Sequence, residues 1–316
     1  MIGRLGNQFF QYATLRAYMI DNNIEDDLFL NFDLCRNSTG SFFDDSLKYF
    51  NTVSYQEISK IHYTLSQLPI VFFIKVVEKL IRLLSNENNI EYRIYHFEKR
   101  FQKFFNYFGL FYATNGYIKF NKATLNQKNL VFYGFFESPK YFDHIKDTLL
   151  RELTPKEQLK PNVIDLKRKL NENKNSICIS IRRGDFVTNE EFKKLHYVCD
   201  DAYFYQAIDT MNKKVKNGTY FVCSDDIKWC RENMKWNENT IFEEENNSLV
   251  EKIALMSSCN HFILSNSTFS WWVQYLSNQK NVVVAPNIWR KNDYTKGKVR
   301  NDIYEDHWIL IGGSRK

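Results

Sequence analysis

Glycine and proline are scarce, 11 and 5 residues in a chain of 316. That excludes collagen-like, linker-rich and low-complexity classes. Six cysteines, at 35, 178, 199, 223, 230 and 259, include no Cys-x-x-Cys pair. A disulfide scaffold and a paired-cysteine metal site are excluded, and reduced thiols in a cytoplasmic protein are expected. No basic-then-apolar signal segment opens the chain. The most hydrophobic stretch, Leu68 to Leu84, is broken by Lys75, Glu78, Lys79 and Arg82, so no membrane span is expected. Basic residues exceed acidic ones by only 43 to 37, a net +6. This favours an anionic ligand or surface but lacks the clustered excess of a nucleic-acid binder, and no nucleic-acid partner is expected.

What is present is core-forming material: 44% of the chain is apolar and 16% aromatic. The length suits two domains, and a polar segment from Thr154 to Asn175, containing Pro155 and Pro161, sets the expected division into 1–155 and 156–316. In the second half, β-branched runs alternate with helical patterns. Ser176 to Ile181, Thr219 to Cys223, Ile241-Phe242, His261 to Leu264 and Val282 to Ala285 read as strands. Between them lie helices over Asp201 to Lys216, Asp226 to Met234, a segment opened by the capping box Ser248-x-x-Glu251, and Ser270 to Leu276. Such alternation implies a doubly wound parallel sheet, which takes ligands where strand carboxyl ends meet helix amino ends. The first half is less regular: a helix over Asn7 to Ile20, strands at Leu28 to Phe32 and Leu130 to Phe136, and a helical stretch from Ser59 to Phe108.

Four segments place polar residues at such edges. Gly3 to Gln8 carries Gly6, Asn7 and Gln8 into a helix start, whose amides attract anions, although such a turn is often only a turn. Arg182 and Arg183 follow the strand ending at Ile181. They either hold a diphosphate bidentately or brace the loop through Asp185. Ser224, Asp225 and Asp226 follow the next strand, offering a carboxylate to a ribose or base, or a cap to the following helix. Asn266, Ser267, Thr268 and Phe269 join strand to helix as a phosphate cradle or an N-cap, ahead of Trp271 and Trp272. Three of the four follow strands of one expected sheet, which raises the ligand reading.

Together these segments, Gly-x-Leu-Gly-Asn-Gln-x-Phe-Gln-Tyr-Ala at 3–13, Arg-Arg-Gly-Asp-Phe at 182–186, Ser-Asp-Asp at 224–226 and Asn-Ser-Thr-Phe-Ser-Trp-Trp at 266–272, resemble the motif set of the bacterial α-1,2-fucosyltransferases of glycosyltransferase family 11. The resemblance implies a GT-B type α/β fold with two Rossmann-like domains facing across an active-site cleft, acceptor-side first and GDP-fucose-binding second. Two departures stand out. Ser180 occupies the place of a family histidine two residues before the arginines, and only Met1 and Ile2 precede the Gly turn where relatives carry a strand, so that strand is missing or the start lies upstream.

The implied reaction is inverting transfer of L-fucose from GDP-β-L-fucose to the 2-hydroxyl of a terminal galactose on an oligosaccharide acceptor. No cofactor is implied, since GDP-fucose is the donor substrate. No Asp-x-Asp metal-diphosphate pattern occurs, and the arginines are expected to replace a metal. Catalytic candidates are Arg182 and Arg183 at the developing phosphate charge, with Asp185 or Glu190 as base. Donor-binding candidates are Gly6, Asn7, Gln8, Arg182, Arg183, Ser224, Asp225, Asn266, Ser267, Thr268 and Phe269. The rival reading is a catalytically silent nucleotide- or glycan-binding protein of the same fold. The apolar stripe Ile70, Phe73, Ile74, Val77, Leu80, Ile81 and Leu84 reads as a bundle packed on its own domain. The sharper reading is that Arg93, Lys99, Arg100, Lys103 and neighbouring aromatics rest peripherally on the anionic inner membrane of a bacterium.

Overall fold

A computed structural model describes residues 1–37, 44–85, 90–120, 129–279, 282–291 and 302–312. In chain order the elements are α1 (Leu5–Asp21), β1 (Leu28–Leu30), α2 (Asp33–Arg36), β2 (Tyr55–Glu57), α3 (Leu68–Leu84), α4 (Ile90–Tyr107), β3 (Leu110–Ala113), β4 (Val131–Gly134) and α5 (Lys146–Glu152). Then follow α6 (Pro161–Glu172), β5 (Ser176–Ile181), α7 (Gly184–Thr188), α8 (Glu190–His196), α9 (Asp201–Lys214), β6 (Thr219–Ser224), α10 (Ile227–Asn233), β7 (Thr240–Phe242), α11 (Leu249–Met256), β8 (His261–Ile263), α12 (Thr268–Tyr275), β9 (Val282–Pro286) and β10 (Ile309–Ile311).

The chain divides into two compact units. The first comprises Met1–Lys48, Thr52–Leu149 and Asp293–Tyr304, and the second Tyr49–Asn51, Leu150–Asn292 and Glu305–Lys316. The second unit is built on a six-stranded, all-parallel sheet of order β10-β9-β8-β5-β6-β7. Every residue of β5 is buried, as a central parallel strand covered on both faces requires. Local chemistry sets the helix starts: Asp200 accepts the Tyr203 amide at 3.0 Å to open α9. Ser248 and Glu251 close their capping box at the start of α11 through bonds of 3.2 and 2.7 Å. Helix α12 begins at Thr268, two residues before the expected Ser270, and buries Trp271, Trp272 and Tyr275.

The first unit is α/β with parallel strands as well, but its described strands form two separate pairs, β1-β2 and β3-β4. Aromatic packing holds it: Phe111 stacks on Phe132 at 4.4 Å, and Tyr18 from α1 meets both edge-on at 5.0 Å. The helical reading of Ser59 to Phe108 resolves into α3 and α4; residues 59–67 lie outside both helices, and residues 86–89 of that reading lie outside the described residues. Pro69 sits in the first turn of α3, where its missing N–H costs nothing. Among the described residues no helix is long and apolar enough to cross a membrane.

Candidate active site

In the second unit the chain steps from β5 to β6 and β7 in one direction, then returns to lay β8 on the other side of β5 and continues to β9 and β10. The reversal between β5 and β8 opens a crevice at the carboxyl ends, the ligand position of open parallel sheets. Three of the four polar segments arrive there, after the adjacent strands β8, β5 and β6. Ile181 pairs with Ser224 across β5-β6, which brings Arg182 beside Asp225.

Arg182 is bound on both sides, to Asp185 and to Asp225. Asp225 also accepts the Arg183 amide at 2.8 Å, so both its oxygens are engaged by protein donors. Asp225 thereby holds the arginine loop. The loop-bracing alternative for Asp185 is likewise realised. Arg183 is different. Its guanidinium carbon lies over the Trp229 ring, 3.2 Å from the centroid, and its Nε reaches Asp226 at only 3.5 Å. Stacking fixes the plane of a guanidinium while leaving in-plane N–H groups for an oxyanion. Two guanidiniums thus face three carboxylates, so the cluster is charge-compensated within the protein. Asp226 serves as the cap of α10, accepting the Trp229 amide at 3.3 Å. Gly184 sits at φ +20°, and a Cβ there would crowd the Asp225 carboxylate that holds Arg182, so glycine suits this close approach.

Glu190 stands in the first turn of α8, its side chain 75% exposed and 3.6 Å from Lys193. His196 closes that helix between the Phe186 and Phe192 rings, 5.2 and 5.6 Å away. Burial, then repulsion from Arg290, push its pKa down to about 4, so the imidazole is neutral near pH 7. Asn266 is 3% exposed, and its Nδ2 donates to the carbonyls of His196 and Trp289 at 2.8 and 2.9 Å. Through these bonds it ties the loops after α8 and β9 to the start of α12. Ser267, Thr268 and Phe269 are half-buried at the amino end of α12, and Ser267 makes no capping bond with its side chain. The Ser267 amide donates to the Ser265 carbonyl at 2.8 Å, and α12 opens from that turn with the positive end of its dipole at the sheet edge. Beneath that turn Ser180, in the place of the family histidine, shares a 2.6 Å hydrogen bond with Ser270, which reaches Ser265 at 3.0 Å. Ser224 is buried, and its Oγ accepts the Asp226 amide at 3.0 Å.

In the first unit, Gly3 adopts φ +77° and packs against the Asn7 side chain. Gln8 is 0% exposed; its Nε2 donates to the carbonyls of Gly3 and Asp44 at 3.2 and 2.9 Å, and its Oε1 accepts the Ser46 amide at 3.0 Å. It acts as an internal bracket that joins the Gly3 turn to the segment at Asp44 and Ser46. Gly6 is buried within α1, and Asn7 is half-buried beside it. The same unit holds a pocket of ≈ 340 Å³ in which Arg82, Glu91, Thr114, Asn115, Tyr133 and Phe135 converge. Behind it the fully buried Glu98 carboxylate accepts the Thr114 hydroxyl at 2.7 Å and its amide at 3.1 Å, and burial raises its pKa to about 7.

Residues 112–312 match the family model described as glycosyl transferase family 11. The chain belongs to this family. Similar to it are the alpha-1,2-colitosyltransferase of Escherichia coli, 29% identical over 92% of this chain and 90% of that one, and the O-antigen biosynthesis glycosyltransferase WbnK of Escherichia coli, 30% identical over 98% of each. Galactoside alpha-(1,2)-fucosyltransferase 1 of Oryctolagus cuniculus is 28% identical over 60% of this chain and 53% of that protein. In this family 11 glycosyltransferase, the matched residues include the three polar segments of the parallel sheet but not the Gly3 turn. Sequence reasoning missed Trp229, Arg290 and the Thr114-Asn115 pocket edge. Only Trp229 left a local signal, three residues beyond the Asp226 cap.

Proposed function

We propose that this glycosyltransferase transfers L-fucose from GDP-β-L-fucose to the 2-hydroxyl of a terminal galactose, with inversion. The observation that carries the reading is the convergence of Arg182, Arg183 and the amino end of α12 on one sheet edge at the strand-order reversal. As the glycosidic bond breaks, charge grows on the β-phosphate and the sugar becomes oxocarbenium-like, so fixed donors at the diphosphate act most strongly in the transition state. Arg183, packed against Trp229, is the proposed phosphate ligand, and the amino end of α12 the proposed second oxyanion site. Arg182, held by Asp185 and Asp225, sets the loop that presents Arg183. Of the two carboxylates proposed as base, Asp185 lies in the arginine cluster, whereas Glu190 projects from α8. The reaction is proposed to need no metal, the arginines compensating the diphosphate.

The acceptor sugar is assigned to the first unit, whose pocket combines the Tyr133 and Phe135 rings with the planar polar groups of Arg82, Glu91 and Asn115. Rings cover sugar C–H faces while amides, carboxylates and guanidiniums read hydroxyls. The bacterial cytoplasm is the proposed compartment, in keeping with six free, buried cysteines. A second donor has specific support: the colitosyltransferase relative spans 90% of its own length in the match, and colitose is L-fucose without its 3-hydroxyl. Incubation of the protein and a galactoside with GDP-fucose or with GDP-colitose decides between them, with GDP release and linkage of the product as readouts. Faster release from GDP-fucose and an α-1,2 product are expected. Release from neither donor would leave a silent binding protein.

A further inference from the structure

Helix α3 is apolar on both sides. Its inner face places Val71 and Ile74 in a core with Phe97, Phe105, Leu110, Tyr112 and Val131. Its outer face carries Leu68, Phe72, Val76, Leu80 and Leu84 at four-residue spacing, with Phe73 and Leu83 beside them, all exposed; Phe72 and Leu83 are each 70% exposed. A contiguous exposed apolar surface of this kind, rimmed by polar residues, marks an interaction site. Phe73 leans on Phe97 and Phe101 of α4 at ring distances of 5.9 and 6.0 Å. Through it the apolar surface continues onto α4, where Phe101 and Phe104 are also exposed. Cations border this surface on both sides. By helical geometry the exposed Lys75 and Lys79 fall on the side of the stripe away from Phe73, Arg82 lines the pocket together with Glu91, and the exposed Arg93 and Arg100 share the outer face of α4 with Phe104. The acidic side chains of the two helices lie elsewhere: Glu98 is buried, Glu78 has a buried Oε1, and Glu91 lines the pocket.

We infer that this face of the α3-α4 pair docks on the surface of an anionic lipid bilayer. Apolar and aromatic side chains enter the headgroup boundary while two rows of Lys and Arg meet lipid phosphates, the arrangement of interfacial helices. A second copy of the chain fits worse. Two-fold pairing of this face sets cationic rim against cationic rim, and like charges across an interface oppose it. The inference stands independently of the donor and acceptor proposed above.

Flotation of the full chain with vesicles tests it, comparing phosphatidylcholine alone with phosphatidylcholine containing phosphatidylglycerol, at low and high salt. The protein is expected to float with the anionic vesicles at low salt and to be largely released by high salt or by omission of the anionic lipid. The double variant Phe72→Ser, Leu83→Ser is expected to lower the bound fraction about tenfold. The triple variant Lys75→Ser, Lys79→Ser, Arg100→Ser removes the salt-sensitive part, about fivefold per charge. Failure of the wild-type chain to float with anionic vesicles, or equal flotation of both variants and wild type, would overturn the inference. So would light scattering that shows a dimer dissolved by Phe72→Ser, Leu83→Ser without any vesicle binding, since a second copy would then cover the face.

Discussion

The two units solve the burial problem in opposite ways. In the second, one parallel sheet collects six strands, and the buried β5 run leaves polar residues only at strand ends. Charge is therefore pushed to the edge where a ligand binds. In the first, the described strands come in pairs, and α3 and α4 supply much of the packing surface while leaving a broad apolar face exposed. Both units bury polar side chains, Gln8 and Glu98 in the first and Asn260 and Gln274 in the second, so burial of polar groups does not separate them. A continuous sheet yields a site readable from local order, whereas a patchwork of small elements yields one assembled from distant parts.

The sharpest way to break this contrast is through the arginines. Arg183→Ala is expected to lower kcat about a thousandfold with the melting temperature nearly unchanged, because a lost donor at a developing oxyanion costs about 3–4 kcal/mol. Near-normal turnover would show that the sheet edge is not the reaction centre. Persistence of activity in EDTA belongs to the same test, and a strict metal requirement would remove the arginines from their proposed role.

Next comes pH, where Glu98 in the first unit and His196 in the second are expected to respond with opposite signs. Glu98, raised to about 7 by burial, binds a proton in the folded state more tightly than when unfolded, so its stabilisation is full below pH 4.5 and is lost as pH rises to 7. The loss amounts to about 3 kcal/mol. His196, lowered to about 4, runs the other way: its contribution is full above pH 6.5 and is lost as pH falls toward 4. Hydrogen exchange followed from pH 4 to 8 should show the first unit loosening toward the upper end and the second toward the lower. Glu98→Gln should flatten the first trend, and an unchanged slope would show that another group drives it.

A smaller effect tests the loop support. Asp225→Asn should lower kcat about tenfold to thirtyfold through disorder of Arg182, a loss of about 1.5–2 kcal/mol for a charge-assisted bond. A change in KM for the donor with kcat intact would instead mark Asp225 as a direct donor ligand. Smallest of all, Asn115→Ala should raise KM for the galactoside about fivefold and leave KM for the GDP-sugar alone, consistent with one neutral hydrogen bond. Equal changes in both constants would deny the first unit a separate acceptor subsite.

Much of the second unit was legible in the sequence because its determinants are local. Hydrophobic runs define Ser176 to Ile181 as a strand, and the Ser248 and Glu251 pair opens α11 from a spacing of three residues. Polar residues that follow each strand mark the ligand edge by chain order alone. The short α7 and α8, and β10 far along the chain, carry too little periodicity to stand out.

From the sequence by itself follow the parallel α/β unit, the family, and the placement of Arg182, Arg183 and Asn266 near one edge, since each depends on residues only a few positions apart. Tertiary structure alone decided what those groups do. Arg182 is neutralised by Asp225 and Asn266 is spent on the Trp289 carbonyl, bonds that join separate strands of the sheet. Gln8 is an internal bracket because the Ser46 amide returns to it from another part of the unit. Periodicity likewise marked α3 as apolar but not that its outer face lies exposed. Hydrophobic spacing specifies which residues share a face, and only the positions of distant segments determine what covers that face and which charges are compensated.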